Sequence, residues 1–426
     1  MNGWDETTDV VIVGAGGGGA VLGLALAQRG LRSIVLEQAA GPPLSLRGEI
    51  LQPNGQHILD RLGVLGSLPS DAIRTVRRFH FHRAGGERLC TVDYGELPPP
   101  YNQAVVTLPN VAHHAILDAL QRSNPSGFRY GAKVTGLLRE QGRVAGASVE
   151  CNGHSVRIAA RLVVGADGAF SKVRDALGIP ADVHLYNEGY LIAIVAGVTG
   201  IDEAKYFVGK NQILGLFPAA GDRAYVFYMI PAGSYDHVKQ QGLETLKRAW
   251  RAIDPTIGPV VDRLHDWSQT AYMPTGRVRT PRWVADGAVL IGDAAHAMNP
   301  HASQGRMQAM SDAMALAEVV SECCQRDRWD VAELSRYERM RRRQVDMLQR
   351  LADEQVLFWN TGNPLLARLR DRVFRTLDRN PRLRYQMLST TAGWRQHPPF
   401  GWLDRLMAAG FLPDPRAHLV SRELPG

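Results

Sequence analysis

The chain has 426 residues, of which 45% are hydrophobic and 21% charged, which predicts a soluble globular protein with one large or two interlocked domains. No uninterrupted run of about 18 apolar residues occurs, so no membrane-spanning helix is expected. The formal net charge of +7 comes largely from arginines scattered among acidic residues. This pattern favours a solvated basic face over a nucleic-acid-binding surface.

The cysteines and the first residues indicate the compartment. The opening MNGWDETTD lacks the basic and apolar regions of a secretory signal. Cys90, Cys151, Cys323 and Cys324 show no metal-ligand spacing, and no cluster of His, Cys and Asp does either. We therefore expect a reduced, cytoplasmic protein without a metal site.

The first pattern along the chain is a strand, a helix and a second strand. TDVVIV (residues 8–13) is typical of a buried parallel strand, AVLGLALAQRG has helical spacing, and SIVLE is a second apolar run. Between the first strand and the helix, Gly14, Gly16 and Gly19 have the GxGxxG spacing, which suits a tight turn and a close approach to a pyrophosphate. Glu37 ends the second strand, where a carboxylate accepts hydrogen bonds from ribose hydroxyls. Together these features predict a bound adenine dinucleotide rather than a merely glycine-rich loop.

Antiparallel strands dominate the predictions for the middle of the chain. RRFHFHR, RLCTVDY and QAVVTLP, then a larger group between Glu188 and Ile230, alternate as half-buried strands do, and TAYMPTGRV is expected to be the last strand. HSVRIAARLVVGADG returns to the first sheet with a hairpin attached, and helices are predicted at residues 305–325 and 331–360. The predicted division is a dinucleotide-binding unit of residues 8–75, 110–180 and 280–330, an antiparallel-sheet unit of residues 76–109 and 181–279, and a helical C-terminal region of residues 331–426.

A second motif is RLVVGADGAFSKVR. Its apolar strand runs into Gly165, Asp167 and Gly168 before Ser171 and Arg174 begin a helix. Ligands collect at such carboxyl ends of strands in open α/β sheets. The same residues also suit a plain β-turn in which an Asp or Ser side chain caps the helix.

A third motif is IGDAAHAMNPHASQGRMQAMSDA. A buried strand ends at Gly292 and Asp293, whose carboxylate can hold a polyol hydroxyl. Pro300 has no N–H and separates the loop from the helix that Gln304 and Gly305 open. The backbone N–H groups at this helix start stabilise an anion, such as the ring edge of a reduced flavin.

The three motifs, in this order, resemble those of the single-component flavoprotein aromatic hydroxylases, the class of p-hydroxybenzoate hydroxylase, over most of residues 8–345. The resemblance implies an α/β fold, with a Rossmann-like FAD-binding domain interleaved with an antiparallel-sheet substrate domain and followed by a helical C-terminal region. In the family, the arginine that matches Arg47 lies near the pyrophosphate and flavin. The Asp-Gly pair that matches Asp167 and Gly168, here called the DG motif, is linked to FAD and the pyridine nucleotide. The loop that matches Pro300 lies beside the isoalloxazine. The implied cofactor-binding residues are Gly14, Gly16, Gly19, Glu37, Arg47, Asp167, Gly168, Gly292, Asp293, Pro300, Gln304 and Gly305.

The chain departs from the family pattern in the third motif. Most relatives read PxxGQGxN where this chain reads PHASQGRM, so Ser303 replaces a glycine and Met307 replaces an asparagine. Arg306 is an unusual long cation at its position. We expect a tighter loop and altered flavin mobility. His296 in the same motif is interpreted as a structural hydrogen-bonding residue.

The resemblance implies an FAD-dependent monooxygenase that consumes NADPH or NADH and hydroxylates an aromatic or electron-rich phenol-, quinolone- or polyketide-like molecule through a flavin hydroperoxide. Dioxygen is then the second substrate, and no catalytic side chain is assigned because the flavin carries the chemistry. The alternatives are a flavin-dependent reductase or oxidase on the same scaffold and a catalytically silent FAD-binding protein. The candidate pocket residues, which could equally pack the sheet, are Phe217, Tyr225, Tyr228, Met229 and Tyr272.

Overall fold

A computed structural model describes residues 4–43, 49–151 and 153–420. The strands in these ranges are β1 (Glu6–Val13), β2 (Ser33–Leu36), β3 (Glu49–Leu51), β4 (Ile73–Val76), β5 (Arg78–Arg83), β6 (Arg88–Asp93), β7 (Ala104–Thr107), β8 (Phe128–Arg129), β9 (Ala132–Glu140), β10 (Arg143–Cys151), β11 (His154–Gly165), β12 (Asp182–Ala196), β13 (Ala204–Gly209), β14 (Gln212–Ala219), β15 (Arg223–Pro231), β16 (Thr270–Arg279), β17 (Val284–Ala285) and β18 (Ala288–Leu290).

The helices are concentrated in the last third of the chain. In order they are α1 (Gly17–Ala27), α2 (Pro53–Arg61), α3 (Val111–Ser123), α4 (Lys172–Ala176), α5 (Tyr235–Gln240), α6 (Leu243–Ile253), α7 (Gly258–Val261), α8 (Asp293–His296), α9 (Gly305–Arg326), α10 (Val331–Trp359), α11 (Pro364–Arg379), α12 (Pro381–Thr391) and α13 (Trp402–Ala408). The two long helices predicted near residues 305–325 and 331–360 are confirmed as α9 and α10. Within the described ranges, no helix has both the length and the apolar character needed to cross a bilayer.

The first sheet has the order β17-β18-β11-β1-β2-β8, and β1 pairs in parallel with β11 and β2. Val10, Val11 and Ile12 are completely buried, as expected for a parallel strand covered on both faces. The β9–β10 hairpin joins β11 in antiparallel pairing, which confirms the predicted return to this sheet. Helix α9 packs closely on α1, since a Cβ atom at Gly18 would lie 3.1 Å from the carbonyl oxygen of Ala309.

The second sheet has the order β16-β12-β15-β14-β13-β5-β6. Its β12, β13, β14, β15 and β16 strands are antiparallel neighbours, as the alternating runs predict, whereas β5 pairs with β13 in parallel. QAVVTLP differs from its two companion runs, because β7 pairs with β3 and β4 in a separate three-stranded sheet. The prolines between β6 and β7 cannot donate ladder hydrogen bonds, so the chain leaves the second sheet there.

The two faces of the second sheet have different covers. On one face, the buried side chains of Leu246 and Trp250 from α6 pack on the sheet. The other face carries aromatic side chains, including Phe217 and Tyr225, that pack toward α12. Helix α10 contacts both sheets, because its Asp353 forms a 2.7 Å ion pair with Arg277 of β16 and its Tyr337 hydroxyl donates a 3.2 Å hydrogen bond to the carbonyl of Leu290 in β18.

Candidate active site

The glycine-rich loop lies between β1 and α1. Gly14 has a φ of +98°, and a Cβ atom there would lie 2.5 Å from the carbonyl oxygen of Ala166. A Cβ atom at Gly19 would lie 2.0 Å from the carbonyl oxygen of Gly14, so both positions require glycine. By contrast, no described heavy atom lies within 4 Å of a Cβ position at Gly16. The backbone at Gly16 therefore faces open space at the start of a helix, which fits a pyrophosphate.

The carboxylate of Glu37 is bound to the same loop. Its Oε2 accepts a 3.0 Å hydrogen bond from the N–H of Ala15, and its Oε1 accepts a 2.9 Å bond from the N–H of Ala39. The side chain is half-buried. Each carboxylate oxygen keeps a further lone pair for a hydroxyl group, so Glu37 can hold both the loop and a ribose.

The DG motif caps a helix and also lines a cavity. Asp167 accepts a 2.5 Å hydrogen bond from the Ser171 hydroxyl, and Ser171 in turn accepts a 2.9 Å bond from the N–H of Arg174. Asp167 also accepts hydrogen bonds from the N–H groups of Lys172 at 2.7 Å and Val173 at 3.1 Å, so it has the capping role that the turn alone predicts. Gly168, with a φ of +85°, lines the cofactor cavity defined below.

A buried charge network supports the third motif. Asp312 of α9 accepts a 2.9 Å hydrogen bond from the N–H of Gly292, and it contacts His296 Nε2 at 2.5 Å and Arg341 Nε at 2.9 Å. Burial acts to raise the pKa of Asp312, but His296, Arg341 and the Gly292 N–H together hold this pKa below its usual value. His296 is therefore structural, as predicted, and the network anchors the turn that presents Asp293. Asp312 and Arg341 were not predicted from the sequence, because their partners are distant in the chain.

The loop before α9 contains a strained residue and a buried clamp. Pro300 opens a short 3-10 turn that ends at Ser303, whose φ of +50° and ψ of 33° are left-handed. Gln304 is completely buried, donates a 2.6 Å hydrogen bond to the Thr391 carbonyl and accepts a 3.0 Å bond from Asn54. The Gln304 side chain therefore holds the loop against α2 and α12, which leaves the backbone of the loop to face a ligand.

The conformation of Ser303 leads to a stability prediction. Ser303→Gly is expected to be more stable than Ser303→Ala by about 1 kcal/mol, because only glycine adopts a left-handed backbone without strain. Both substitutions remove the hydroxyl, so the pair isolates the backbone contribution. Urea unfolding of the two variants measures the difference, and equal free energies of unfolding would show that residue 303 is not left-handed in solution.

Arg306 and Met307 occupy different surroundings in the first turn of α9. The Arg306 side chain lies on the glycine-rich loop, since a Cβ atom at Gly17 would be 2.9 Å from Arg306 Cγ. Burial at the cavity wall lowers the pKa of Arg306 to about 10, which leaves it cationic at neutral pH. Met307 is buried and faces α2, where a Cβ atom at Gly55 would lie 2.0 Å from its sulfur. Arg47 lies outside the described residues.

A cavity of about 440 Å³ joins these motifs to the second sheet. This cofactor cavity is bordered on one side by Gly16, Gly168, Gly292, Asp293, Pro300, Gly305 and Arg306. The opposite side consists of side chains from the second sheet, namely Ile192, Ile213, Phe217, Tyr225, Phe227 and Met273. One space therefore brings six of the predicted cofactor residues (Gly16, Gly168, Gly292, Asp293, Pro300 and Gly305) together with an apolar and aromatic wall.

Three of the candidate pocket residues lie elsewhere. Tyr228 packs against Trp250 on the opposite face of the sheet, and Tyr272 is on that face too, against Tyr235. Met229 packs in a small buried cluster with Tyr190. Side chains alternate between the faces of a strand, so Tyr225 and Phe227 reach the cofactor cavity while Tyr228, the next residue after Phe227, does not.

His301 is a cavity residue that the sequence analysis did not single out. It is 7% exposed, its Nε2 lies 3.2 Å from the hydroxyl of Tyr190, and its Nδ1 contacts the side-chain oxygen of Asn299. Burial lowers the pKa of His301 to about 3, so the ring is neutral at neutral pH. The feature of the sequence that could have predicted a role for His301 is its position directly after Pro300.

The residues that border the site fit the chemical groups of FAD. The start of α1 at Gly16, the carboxylate of Asp293 and the cation of Arg306 border the cofactor cavity, and the carboxylate of Glu37 is bound to the same glycine-rich loop. Helix N-termini and cations suit a pyrophosphate, whereas carboxylates suit ribose and ribityl hydroxyls. The distribution of donors and acceptors therefore matches the chemical groups of the cofactor.

Comparison with known proteins supports the same assignment. The FAD binding domain family matches residues 7–352. The chain is 32% identical to 6-methylpretetramide 4-monooxygenase of Streptomyces rimosus over 74% of this chain and 75% of that protein. It is also 27% identical to kynurenine 3-monooxygenase of Salinispora arenicola over 86% of this chain and 81% of that protein.

Solved structures share the fold. The p-nitrophenol 4-monooxygenase PnpA of Pseudomonas putida superposes with a TM-score of 0.79 at 20% identity, covering 92% of this chain and 100% of that chain. PqsL of Pseudomonas aeruginosa, in complex with 2-aminobenzoylacetate, superposes with a TM-score of 0.75 at 20% identity, covering 85% of this chain and 99% of that chain. The chain thus belongs to the FAD binding domain family and is an FAD-dependent monooxygenase of the aromatic hydroxylase type.

Proposed function

We propose that this enzyme uses NADPH or NADH and dioxygen to hydroxylate an electron-rich aromatic molecule of the phenol, quinolone or polyketide type. The observation that carries the proposal is the cofactor cavity, in which the proposed FAD-binding motifs face Phe217, Tyr225 and Phe227 across one space. The apolar and aromatic wall favours a planar apolar ligand over water beside the flavin, as flavin oxygen chemistry requires. The names of relatives, which include 6-hydroxynicotinate 3-monooxygenase of Pseudomonas fluorescens, support an aromatic substrate.

The proposed roles of the protein follow from its contacts. The N–H groups at the start of α1 bind the pyrophosphate, Glu37 binds the adenosine ribose, and Asp293 binds the ribityl chain. We also propose that Arg47, outside the described residues, lies near the pyrophosphate. When bound, FAD supplies the redox chemistry by taking a hydride from NAD(P)H and transferring oxygen from dioxygen.

The side chains on the substrate side provide shape and hydrogen bonds rather than a catalytic base. Burial raises the pKa of Tyr206 well above its usual range, so its hydroxyl stays protonated and donates. Tyr206 and His301 are both neutral at neutral pH, and they border the place where the cofactor cavity meets the rest of the interior. Accordingly, we assign them to orienting the substrate.

Arg306 provides a test of the proposed cofactor site. Arg306→Met is expected to weaken FAD binding by about 10- to 100-fold, the usual effect of a lost charge-assisted hydrogen bond. The reduction potential of the bound flavin should also become more negative, because a cation stabilises the anionic reduced form. Titration with FAD and spectroelectrochemistry measure the two effects.

Arg306→Lys is the matched control for this prediction. It keeps the charge and should retain most of the reduction potential, although it cannot donate two parallel hydrogen bonds. If Arg306→Met has the FAD affinity and potential of the unsubstituted protein, Arg306 does not contact the cofactor.

Oxygen-18 labelling tests the reaction itself. The purified FAD-loaded protein is incubated with labelled dioxygen, NADPH or NADH, and a panel of phenols, quinolones and polyketide aromatics. We expect a product that carries one labelled oxygen atom for each NAD(P)H oxidised. Oxidation of NAD(P)H that yields hydrogen peroxide or a reduced organic product without label would favour the oxidase or reductase, and a flavin that stays oxidised would favour a silent FAD-binding protein.

A further inference from the structure

A second, larger cavity lies next to the cofactor cavity. It has a volume of about 880 Å³ and lies between the second sheet and helices α10, α11, α12 and α13. We call it the chamber. The cofactor cavity and the chamber share four lining residues, which are Tyr206, His301, Ser303 and Trp359. The chamber therefore adjoins the proposed reaction site at the loop after Pro300.

The inner wall of the chamber is aromatic. Phe81 stacks on Tyr206 with ring centroids 5.3 Å apart and on Phe374 with centroids 5.0 Å apart. Phe79 packs against Tyr94 at 5.0 Å, and all five rings border the space. Flat aromatic surfaces favour offset stacking with planar ligands, so the wall suits fused rings better than flexible chains.

The outer end of the chamber is charged. Arg343 and Arg350 lie two turns apart on α10, are exposed and line the chamber. Arg405 of α13 and Glu354 form a 2.9 Å ion pair at the same end, and both are more than half exposed. The change from charged to aromatic lining indicates that a ligand enters from the helical side and moves inward toward the flavin site.

The volume sets the size of the ligand. A cavity of about 150 Å³ lined by apolar side chains binds one benzene, and the chamber is several times larger. A single-ring phenol would leave most of the aromatic wall in contact with water, which is unfavourable. A larger planar ligand would remove that water.

We propose that the substrate is a polycyclic aromatic molecule of about three or four fused rings, held in the chamber with its reacting ring between Tyr206, His301 and Ser303. This inference rests on the proposed hydroxylation. On this proposal, α11 limits the size of the substrate. This helix lies beyond residues 7–352, the part of the chain that the family matches. Val373 and Leu369, one turn apart on that helix, both line the chamber and are half-buried.

Ligand binding to the FAD-loaded protein tests this assignment without turnover. Phenol, 1-naphthol and 1-anthrol are titrated while the visible spectrum of the flavin is followed. We expect affinity to rise with ring number, with 1-anthrol binding at least about tenfold more tightly than phenol because it buries more apolar area. Val373→Trp and, separately, Leu369→Trp should fill the chamber and raise the dissociation constant of 1-anthrol by about tenfold or more while leaving that of phenol within about twofold.

Arg368→Trp is the matched control, because Arg368 is exposed on the same helix and does not line the chamber. It should leave all three dissociation constants unchanged. Equal affinities for phenol and 1-anthrol would overturn the proposal even if a tryptophan variant did not fold, and so would tryptophan variants that weaken both ligands alike or neither. Failure to incorporate oxygen-18 would instead contradict the proposed hydroxylation and leave the ranking of affinities intact.

Discussion

Valine in place of Gly16 is expected to leave the protein folded while weakening FAD binding by about a hundredfold or more. Gly16 has a φ of −64° and a ψ of −173°, which valine also adopts. No described heavy atom beyond the adjoining residues lies within 4 Å of its Cβ position, so the new side chain starts from open space. It does project into the place proposed for the pyrophosphate, whose hydrogen bonds to the loop would be lost.

Two measurements separate folding from binding in this variant. Far-ultraviolet circular dichroism and thermal unfolding of the FAD-free protein should match those of the parent protein, while fluorescence titration reports the dissociation constant of FAD. Gly66→Val is the matched control, since Gly66 is also open at its Cβ position but lies outside the cofactor cavity. A Gly16→Val protein that binds FAD with the parent affinity would show that the pyrophosphate does not lie against this loop.

Asp312→Asn should produce the largest loss of stability. Asp312 is completely buried, and its carboxylate is paired with Arg341 and His296. Asparagine keeps the shape but removes the charge, which leaves the buried guanidinium uncompensated and costs about 3–5 kcal/mol. The turn at Gly292 also loses a charged acceptor, so weaker FAD binding is expected with the loss of stability.

The pH dependence gives this prediction a distinct signature. The pKa of Asp312 is lower in the folded protein than its ordinary value of 3.8, so the unfolded chain binds a proton more readily. The stabilisation is therefore fully present above about pH 5, and it is lost as the pH falls through the folded-state pKa. The difference in free energy of unfolding between parent and variant should be constant near neutral pH and shrink in acid.

Urea unfolding from pH 8 down to about pH 2, well below the ordinary pKa of the carboxyl group, checks both parts of the prediction. Glu318→Gln on the same helix is the control, because Glu318 is half exposed and lies 4.0 Å from Arg61. A surface pair of this kind contributes at most about 1 kcal/mol. If the two variants are destabilised equally, the buried network does not hold the turn.

Local patterns were sufficient to predict most of the fold. The apolar run before Gly14 predicted β1, the alternating runs predicted the strands from β12 to β16, and the helical spacing predicted α9 and α10. Each of these signals is the periodicity of a single element. A local pattern does not show which strands will pair with each other. For this reason the position of β7 in a third sheet and the parallel pairing of β5 were not predicted.

For the candidate site, the sequence by itself determined the family, and it predicts the FAD-binding motifs because a phosphate-binding turn needs glycines at fixed local spacing. Tertiary structure decided which sheet residues face the cofactor cavity, since one step along a strand separates Tyr225 from a side chain on the other face. It also decided the buried charge network of Asp312 and the chamber beneath α11, which depend on residues far apart in the chain. Such contacts are produced by the packing of whole elements, and no local pattern encodes them.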